Sequence, residues 1–177
     1  HGWAMFFLGN NVDASRNNQI GVAVAAKPQG PWEMLPEPTI EFFPNESWGV
    51  GQPSMVRWKD KWLVFYTRGA GSTQGCCREI RWEPGGPVAG PETTLSTKGL
   101  ASADGQPDWL NNFDAAYDPA GKRFWIVREQ RPRPQGDPDF ISATLEVASM
   151  DERDIFRPDG AWRREGMIGP ELTGFPR

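Results

Sequence analysis

The segment "GVGQPSMVRWKDKWLVFYTRG", residues 49–69, restricts the fold of this chain more than any other. It predicts a strand, a tight turn at "KDK" and a second strand. The second strand is apolar on both faces, with Trp62, Val64 and Tyr66 on one and Leu63 and Phe65 on the other. A sheet with one solvated face alternates apolar and polar residues, so we expect this strand to be covered on both sides.

The same aromatic-led pattern occurs three times at intervals of about 60 residues, which indicates an internal repeat. The copies are "GWAMFFLG" from Gly2, "KWLVFYTR" from Lys61 and "RFWIVREQ" from Arg123. Each precedes a second strand candidate ("IGVAVAA", "CCREIRW" or "SATLEVAS") and then a Gly- and Pro-rich stretch. The later two copies also follow a strand candidate, "PSMVRW" or "FDAAYD". The first copy lacks that partner, as expected if the chain is cut inside a unit.

A unit of four short antiparallel strands that repeats at this interval predicts the blades of a β-propeller. Blades stack face to face, which explains a strand that is apolar on both sides. A β-sandwich of short strands is the alternative, and it fits the long repeat less well. We predict one all-β domain over residues 1–177. It would contain an incomplete blade (1–47), two blades (48–107 and 108–169) and the start of another (170–177).

Known propellers have four to eight blades, so we expect the rest of the ring to come from a longer chain or from other copies. The chain also begins with His1 and shows no signal-peptide pattern, which suggests a processed chain or a part of a longer polypeptide.

Composition excludes several partners. The net charge of −4 and the pI near 5.1 argue against a nucleic-acid partner. No apolar run approaches the roughly 18 residues of a membrane helix, so we predict no membrane span. With one His and no spaced Cys pair, we predict no metal or other cofactor. "ADGQPD" falls short of an EF-hand loop, so a structural calcium ion is not indicated.

The adjacent residues Cys76 and Cys77 raise the question of a vicinal disulfide. Such a bond is strained, so we predict two reduced cysteines in a strand.

Several runs resemble five-bladed propeller glycosidases of glycoside hydrolase families 43 and 32. "IGVAVAAKPQGPWEML" resembles their third-strand motif, and "GQPSMVRWKDKWLVFYT" and "DAAYDPAGKRFWIV" resemble their blade-opening hairpins. The likeness covers nearly the whole chain, as a repeated blade pattern and not as a catalytic signature. It implies a five-bladed fold and a secreted protein, extracellular or periplasmic, that hydrolyses or binds an oligo- or polysaccharide at the central funnel. A lectin-like propeller and a protein-interaction propeller are the alternatives.

In that fold, residues at the starts of the innermost strands line the funnel, where carboxylates from different blades converge. Glycoside hydrolysis needs two such groups. The resemblance therefore implies that Asp114 and Glu129 are catalytic. Alternatively, Asp114 caps a loop by accepting backbone N–H bonds, and Glu129 is a surface ion-pair partner. Arginines beside Glu129 would lower its pKa, which is unfavourable for a general acid.

Five further residues are predicted to bind substrate: Gln52, Trp48, Trp109, Arg68 and Asp108. Gln52 is assigned the place that Asp114 holds one blade later, where active relatives tend to have Asp. Gln cannot ionise, but its amide can hold a sugar hydroxyl or a neighbouring backbone group.

Trp48 and Trp109 stand at matching places before two inner strands, either as stacking platforms for sugar rings or as plugs between blades. Arg68 would bind a carboxylated sugar or solvate the rim, and Asp108 would line that rim.

Overall fold

The protein forms twelve strands in three antiparallel sheets, as shown by a computed structural model that describes residues 2–10, 17–43, 47–70, 72–131, 144–169 and 172. The first sheet contains β1 (Trp3–Gly9), β2 (Gln19–Ala25) and β3 (Glu33–Met34). The second contains β4 (Gly49–Trp58), β5 (Lys61–Ala70), β6 (Ser72–Glu83) and β7 (Gly86–Ala89), with β8 (Thr93–Thr94) paired to β6. The third contains β9 (Phe113–Asp118), β10 (Arg123–Glu129), β11 (Leu145–Asp151) and β12 (Arg163–Ile168).

The predicted repeat is confirmed at the level of strands. The three aromatic-led segments form β1, β5 and β10, and each pairs with the strand that follows it. "PSMVRW" lies in β4 and "FDAAYD" is β9. The all-β fold class is thereby confirmed, and the sheets span residues 3–34, 49–94 and 113–168. The division into one domain with those blade boundaries stays a prediction, and His1 and nearly all of 170–177 lie outside the described residues.

The second sheet is buried on both faces because it lies between the other two. One face of β5 carries Leu63 and Phe65, which pack with residues of the third sheet such as Phe124. The opposite face carries Val64 and Tyr66, which pack with Ile20 of the first sheet and Ile40 of the loop that follows that sheet. The four β5 side chains are at most 2 % exposed. This arrangement confirms the expectation drawn from the doubly apolar strand.

Aromatic contacts define the interface between the second and third sheets. Phe65 meets Phe113 edge-on at 6.5 Å between ring centroids and Phe124 at 5.7 Å. Trp58 meets Phe124 at 5.8 Å. Burial of each large apolar side chain contributes about 1.5–3 kcal/mol, so this cluster outweighs any single polar contact between the sheets.

Trp62 is the exception on β5. Its side chain is 39 % exposed, whereas Phe124, at the equivalent position of β10, is fully buried. The prediction that this whole strand is covered therefore fails at its first aromatic residue.

The first strands of the second and third sheets lie side by side, and β1 contacts β4. Backbone bonds join the first and second sheets: Asn18 N–H donates to the Trp48 carbonyl at 3.0 Å, and Val50 N–H donates to the Asn18 carbonyl at 2.9 Å. Gly49 permits this approach, because it has φ of 96° and a Cβ there would lie 2.3 Å from the Asn18 oxygen. The sheets therefore converge along their inner edges.

A β-bulge at Gln52-Pro53 interrupts the ladder between β4 and β5, whose register shifts between Gly51 and Ser54. Pro has no N–H to donate, so a bulge is one of the few places in a strand that accepts it. Gln52 adopts a left-handed φ of 54° there. The bulge turns Gln52 out of the regular alternation at the inner end of β4.

Cys76 and Cys77 are both free and buried, which confirms the prediction of reduced cysteines. They face opposite sides of β6 and belong to different core clusters. Burial raises the pKa of the Cys76 thiol to about 12 and also raises that of Cys77. Both thiols are therefore protonated at neutral pH and serve as small apolar side chains.

Among the described residues, none forms a helix with the length and apolar character needed to cross a membrane.

Two methionines test the stacked-sheet core. Met150 on β11 is 1 % exposed within the cluster between the second and third sheets, and Met34 on β3 is 70 % exposed. Met150→Ala should lower the free energy of unfolding by about 2–5 kcal/mol, because it leaves a cavity. The matched Met34→Ala should change it by less than about 0.5 kcal/mol. Urea denaturation followed by tryptophan fluorescence measures both, and equal effects would contradict this burial.

Candidate functional site

Predicted site residues lie near one end of the second and third sheets. Trp48 and Gln52 stand where β4 begins, Asp114 where β9 begins and Glu129 where β10 ends. Because neighbouring strands are antiparallel, the start of β9 lies beside the end of β10. We call this region the inner-end site; its carboxylates are Asp114 and Glu129, and Gln52 stands at the same end of the neighbouring second sheet.

Asp114 is exposed and held by two donors. The Ser54 hydroxyl on β4 donates to Asp114 Oδ1, and the Ala115 N–H donates to the same oxygen at 3.0 Å. The Ala115 N–H is also 3.0 Å from Ser54 Oγ. A contact between two sheets thus orients this carboxylate, while the bond from Ala115 is the local capping that was the alternative reading.

Glu129 is half-buried, and Asn112 Nδ2 donates to its Oε2 at 2.7 Å. Asp114 is paired with Val127 on β10, and Glu129 follows Val127 by two residues. Two residues so placed are diagonal neighbours on one face of a sheet, which puts their Cα atoms about 7–8 Å apart. The two carboxylates therefore approach the same space from adjacent strands.

The structure corrects the predicted equivalence of Gln52 and Asp114. Ser54 pairs with Phe65, as Asp114 pairs with Val127. Since Phe65 and Val127 occupy equivalent positions in the aligned hairpins, the counterpart of Asp114 is Ser54.

Gln52 corresponds instead to Asn112. Both have a positive φ, 54° and 42°, and each bonds the end of the neighbouring strand, at Thr67 and Glu129 respectively. The error arose from turn length: two residues separate β4 from β5, whereas four separate β9 from β10.

Trp48 and Trp109, the two predicted stacking residues, have similar surroundings. The Trp48 indole lies against Gly69, where a Cβ would be 2.2 Å from Nε1. The Arg131 guanidinium lies over the Trp109 ring, 4.7 Å from its centroid. Gly69 and Arg131 are equivalent positions after the aligned strands. Each half-buried Trp therefore packs at, or just after, the end of the second strand of its own sheet, and its role as a stacking platform or as a plug between blades stays a prediction.

Asp108 belongs to a buried ionic network that the sequence did not reveal. The side chains of Asp108, Arg128 and Glu146 have no exposed surface. Arg128 Nη1 lies 2.7 Å from Asp108 Oδ2, and Arg128 Nε donates to Glu146 Oε2 at 2.7 Å. The partly exposed Arg131 also donates to Asp108, with Nε 2.5 Å from Oδ1. In this structure the Asp108 carboxylate is fully buried and bonded to two arginines, so it has no exposed surface with which to contact a sugar directly.

The network fixes the charge of Asp108. Burial alone would raise its pKa, but hydrogen bonds from Arg128 and Arg131 outweigh burial and hold the pKa below its usual value. Removal of one member of such a network leaves another charge buried without its partner, which costs about 3–5 kcal/mol.

Arg68 lies on the Tyr66 face of β5 and not on the Phe65 face, because side chains alternate along a strand. Its Nη1 is 2.5 Å from Glu92 Oε1, and its Nη2 donates to Gln74 at 3.2 Å. Tyr66 and Arg78 also bond Glu92. The structure thus places Arg68 in a polar cluster on the side of the first sheet, apart from Asp114.

Sequence reasoning missed three groups of the inner-end site: Ser54, Thr67 and Asn112. The signal for two of them was present, since Ser54 and Asn112 follow from aligning the inner strands separately from the hairpins. As for metals, no group of three or more His, Cys, Asp or Glu side chains in the described ranges is placed to hold an ion.

Three antiparallel sheets are stacked face to face, and in the second and third sheets the strands follow one another in chain order from the inner edge outwards. This arrangement defines a partial β-propeller. A scan against protein-family models and a search of curated proteins found no match. A search of solved structures found a chain described as a thermostable family-43 glycoside hydrolase, with a TM-score of 0.59 and 11 % sequence identity. The match covers 93 % of this chain and 50 % of that one, so this chain spans about half of its structural neighbour. At this identity the likeness establishes the fold.

Asp108→Asn tests the buried network through pH. Because the pKa of Asp108 is lower in the folded state, its contribution to stability is present above the unfolded pKa, near 3.9, and is lost as pH falls through the folded pKa. The variant should be about 3–5 kcal/mol less stable at pH 7, and the difference should shrink on acidification below about pH 4.

Urea denaturation between pH 7 and pH 3 measures this. Asp60→Asn, in the exposed turn between β4 and β5, is the control and should stay within about 0.5 kcal/mol of the unmodified chain. A constant difference between Asp108→Asn and the unmodified chain across this range would contradict the assigned charge state.

Proposed function

We propose that this chain is part of a carbohydrate-active propeller that hydrolyses an oligo- or polysaccharide in the manner of glycoside hydrolases. The observation that carries the proposal is the carboxylate pair, Asp114 and Glu129, on one face of adjacent strands at the inner edge of the third sheet. The fold shared with a family-43 glycoside hydrolase supports it.

The reaction requires an acid that protonates the leaving oxygen and a second carboxylate that activates water or attacks the sugar. Glu129 is assigned the acid role, and Asp114 that of the base or of the carboxylate that tunes the acid. Ser54 and the Ala115 N–H hold Asp114 in one orientation, as a positioned base requires. A further carboxylate would come from a blade outside residues 1–177.

Substrate contacts are proposed for the neighbouring amides and rings. Gln52 is exposed at the bulge, so its amide can bond a sugar hydroxyl when it leaves Thr67. Trp48 and Trp109 offer partly exposed indole surface on which the apolar face of a pyranose would stack. The proposal also places the protein outside the cytoplasm, extracellular or periplasmic, where polysaccharides are encountered.

A non-catalytic carbohydrate-binding propeller is the second candidate, and a specific observation favours it. The counterparts of Asp114 and Glu129 in the second sheet are Ser54 and Thr67, neither of which is a carboxylate. The described inner edges therefore carry acids in the third sheet alone. A protein-interaction propeller is the third candidate, favoured if no saccharide binds.

Asp114→Asn and Glu129→Gln, made in the full-length polypeptide that contains this chain, test the catalytic assignment. Each should reduce turnover by at least about 100-fold on a panel of aryl glycosides and polysaccharides, because each removes an acid–base group. The matched control is Asp118→Asn, at the opposite end of β9, which should retain turnover within a few-fold.

Saccharide binding by calorimetry separates the candidates. Binding that persists in both variants, with turnover lost, supports hydrolysis at this site. Binding without any turnover in the unmodified protein selects the lectin-like candidate, and the absence of both rejects the carbohydrate proposal. Turnover that survives both substitutions shows that the residue roles are wrong.

A further inference from the structure

Asn112 adopts a left-handed backbone conformation at the entry to β9, with φ of 42°. Few residues other than Gly adopt this region, and Asn is among those that do so most readily. Its neighbours Asn111 and Phe113 are 5 % and 4 % exposed, so the backbone on both sides of Asn112 is anchored in the protein. The Asn112 side chain therefore extends from a fixed position.

This side chain continues the pairing of β9 with β10 where the backbone ladder stops. The last pair of that ladder is Phe113 with Arg128, and Asn112 and Glu129 are the next residues on the two strands. The left-handed φ turns the backbone out of the extended conformation, and the side chain makes the contact instead: Asn112 Nδ2 donates to Glu129 Oε2 at 2.7 Å. A carboxyl group at the end of one strand is thus held by a short bond from the strand beside it.

The second sheet contains the same arrangement with a different partner. Gln52 has a left-handed φ of 54°, and its Oε1 accepts a bond from the Thr67 hydroxyl near the end of β5. There the amide oxygen accepts from a neutral hydroxyl, whereas in the third sheet the amide N–H donates to a carboxyl group. Each amide is therefore oriented to suit the chemistry of its partner, and the donating orientation occurs beside the acid that we assign to the reaction.

We propose that Asn112 is a positioning residue for the acid of the hydrolysis, an inference that rests on the proposed function. Because Glu129 Oε2 accepts the amide N–H, it is the carbonyl oxygen of the acid, and the proton is carried by Oε1. The bond also fixes the plane of the carboxyl group. Oε1 is thereby aimed at the leaving oxygen of a sugar bound at the inner-end site.

Cleavage moves one proton from Glu129 to the substrate. As the bond between the anomeric carbon and the glycosidic oxygen breaks, its electron pair stays on the oxygen, which takes the proton from Oε1 and leaves as an alcohol. Water supplies the hydroxyl that the anomeric carbon finally receives, and its other proton passes to a carboxylate of the site. Asn112 transfers nothing, and its contribution is geometric: a misplacement of about 1 Å can cost on the order of 100-fold in rate.

Asn112→Gly in the full-length polypeptide tests the proposal, because Gly keeps the left-handed backbone and removes the amide. Two glycosides of the sugar cleaved in the aryl glycoside panel are compared by kcat/KM, which reports the reaction up to bond cleavage. Methanol needs the proton in order to leave, so kcat/KM for the methyl glycoside should fall by about ten- to 100-fold. Dinitrophenolate leaves without it, so kcat/KM for the dinitrophenyl glycoside should stay within about three-fold.

Two further variants separate the donated bond from other effects. Lys122→Gly is the matched control, since Lys122 also has a left-handed φ, 51°, in the exposed turn at the other end of the β9–β10 hairpin. It should leave kcat/KM for both glycosides within about two-fold, because Gly keeps that backbone. Asn112→Asp keeps the shape of the side chain but replaces the donor with an acceptor, so near neutral pH it should lose the methyl glycoside as Asn112→Gly does.

Equal losses on both glycosides in Asn112→Gly, no loss on either, or full activity in Asn112→Asp would overturn the proposal. Glu129→Gln, measured alongside, shows which assignment is wrong. If Glu129→Gln loses the methyl glycoside selectively and Asn112→Gly does not, the acid is correct and the positioning role is wrong. If the unmodified protein cleaves no glycoside, or if Glu129→Gln cleaves both normally, the proposed function is wrong and this inference is rejected with it.

Discussion

The packing of β5 between two neighbouring sheets is the constraint on which the rest of this structure depends. Phe65 on one face and Val64 on the other are fully buried, in clusters that belong to different interfaces. A strand with two buried faces forces the second sheet to be an inner layer of a stack. Stacking then brings the inner strands β4 and β9 side by side, which is the condition for Ser54 to reach Asp114.

Polar groups follow from that stacking and do not drive it. The ionic network around Arg128 lies beside the same core and links the loop before β9 to β10 and β11. Buried ion pairs contribute little net stability, because desolvation offsets their attraction. Their effect here is positional: they fix the segment that carries Trp109 and leads into the inner-end site. The apolar core sets the stability, and the ionic network sets the local geometry.

The sequence allowed the inner and middle strands, their order and the coverage of β5 beyond Trp62 to be predicted, because aromatic residues recur at one interval and alternate within each copy. It did not locate the outer strands β3, β7, β8 and β12, which lie in Gly- and Pro-rich stretches. It did not allow the register of the inner strands to be predicted. The hairpin before β10 has a turn two residues longer than the one before β5, so a single alignment misplaced Gln52 opposite Asp114. The sequence also gave no sign of the ionic network of Asp108, Arg128 and Glu146, because these residues are far apart along the chain. Pairing of β10 with β11 brings Arg128 beside Glu146, and the loop before β9 brings Asp108 to Arg128.

Double-mutant cycles on the free energy of unfolding test the stacked arrangement most directly. Phe65→Leu is combined with Phe124→Leu to test the interface with the third sheet, and Val64→Ala is combined with Ile20→Val to test the interface with the first sheet. A third cycle combines Val64→Ala with Phe124→Leu, which lie on opposite sides of β5. Stacking predicts coupling of about 0.5–1.5 kcal/mol for Phe65 with Phe124 and measurable coupling for Val64 with Ile20. The cross pair, on opposite faces of β5, should be additive within about 0.5 kcal/mol. Coupling confined to one face of β5, with the other face insensitive to substitution, would contradict the account.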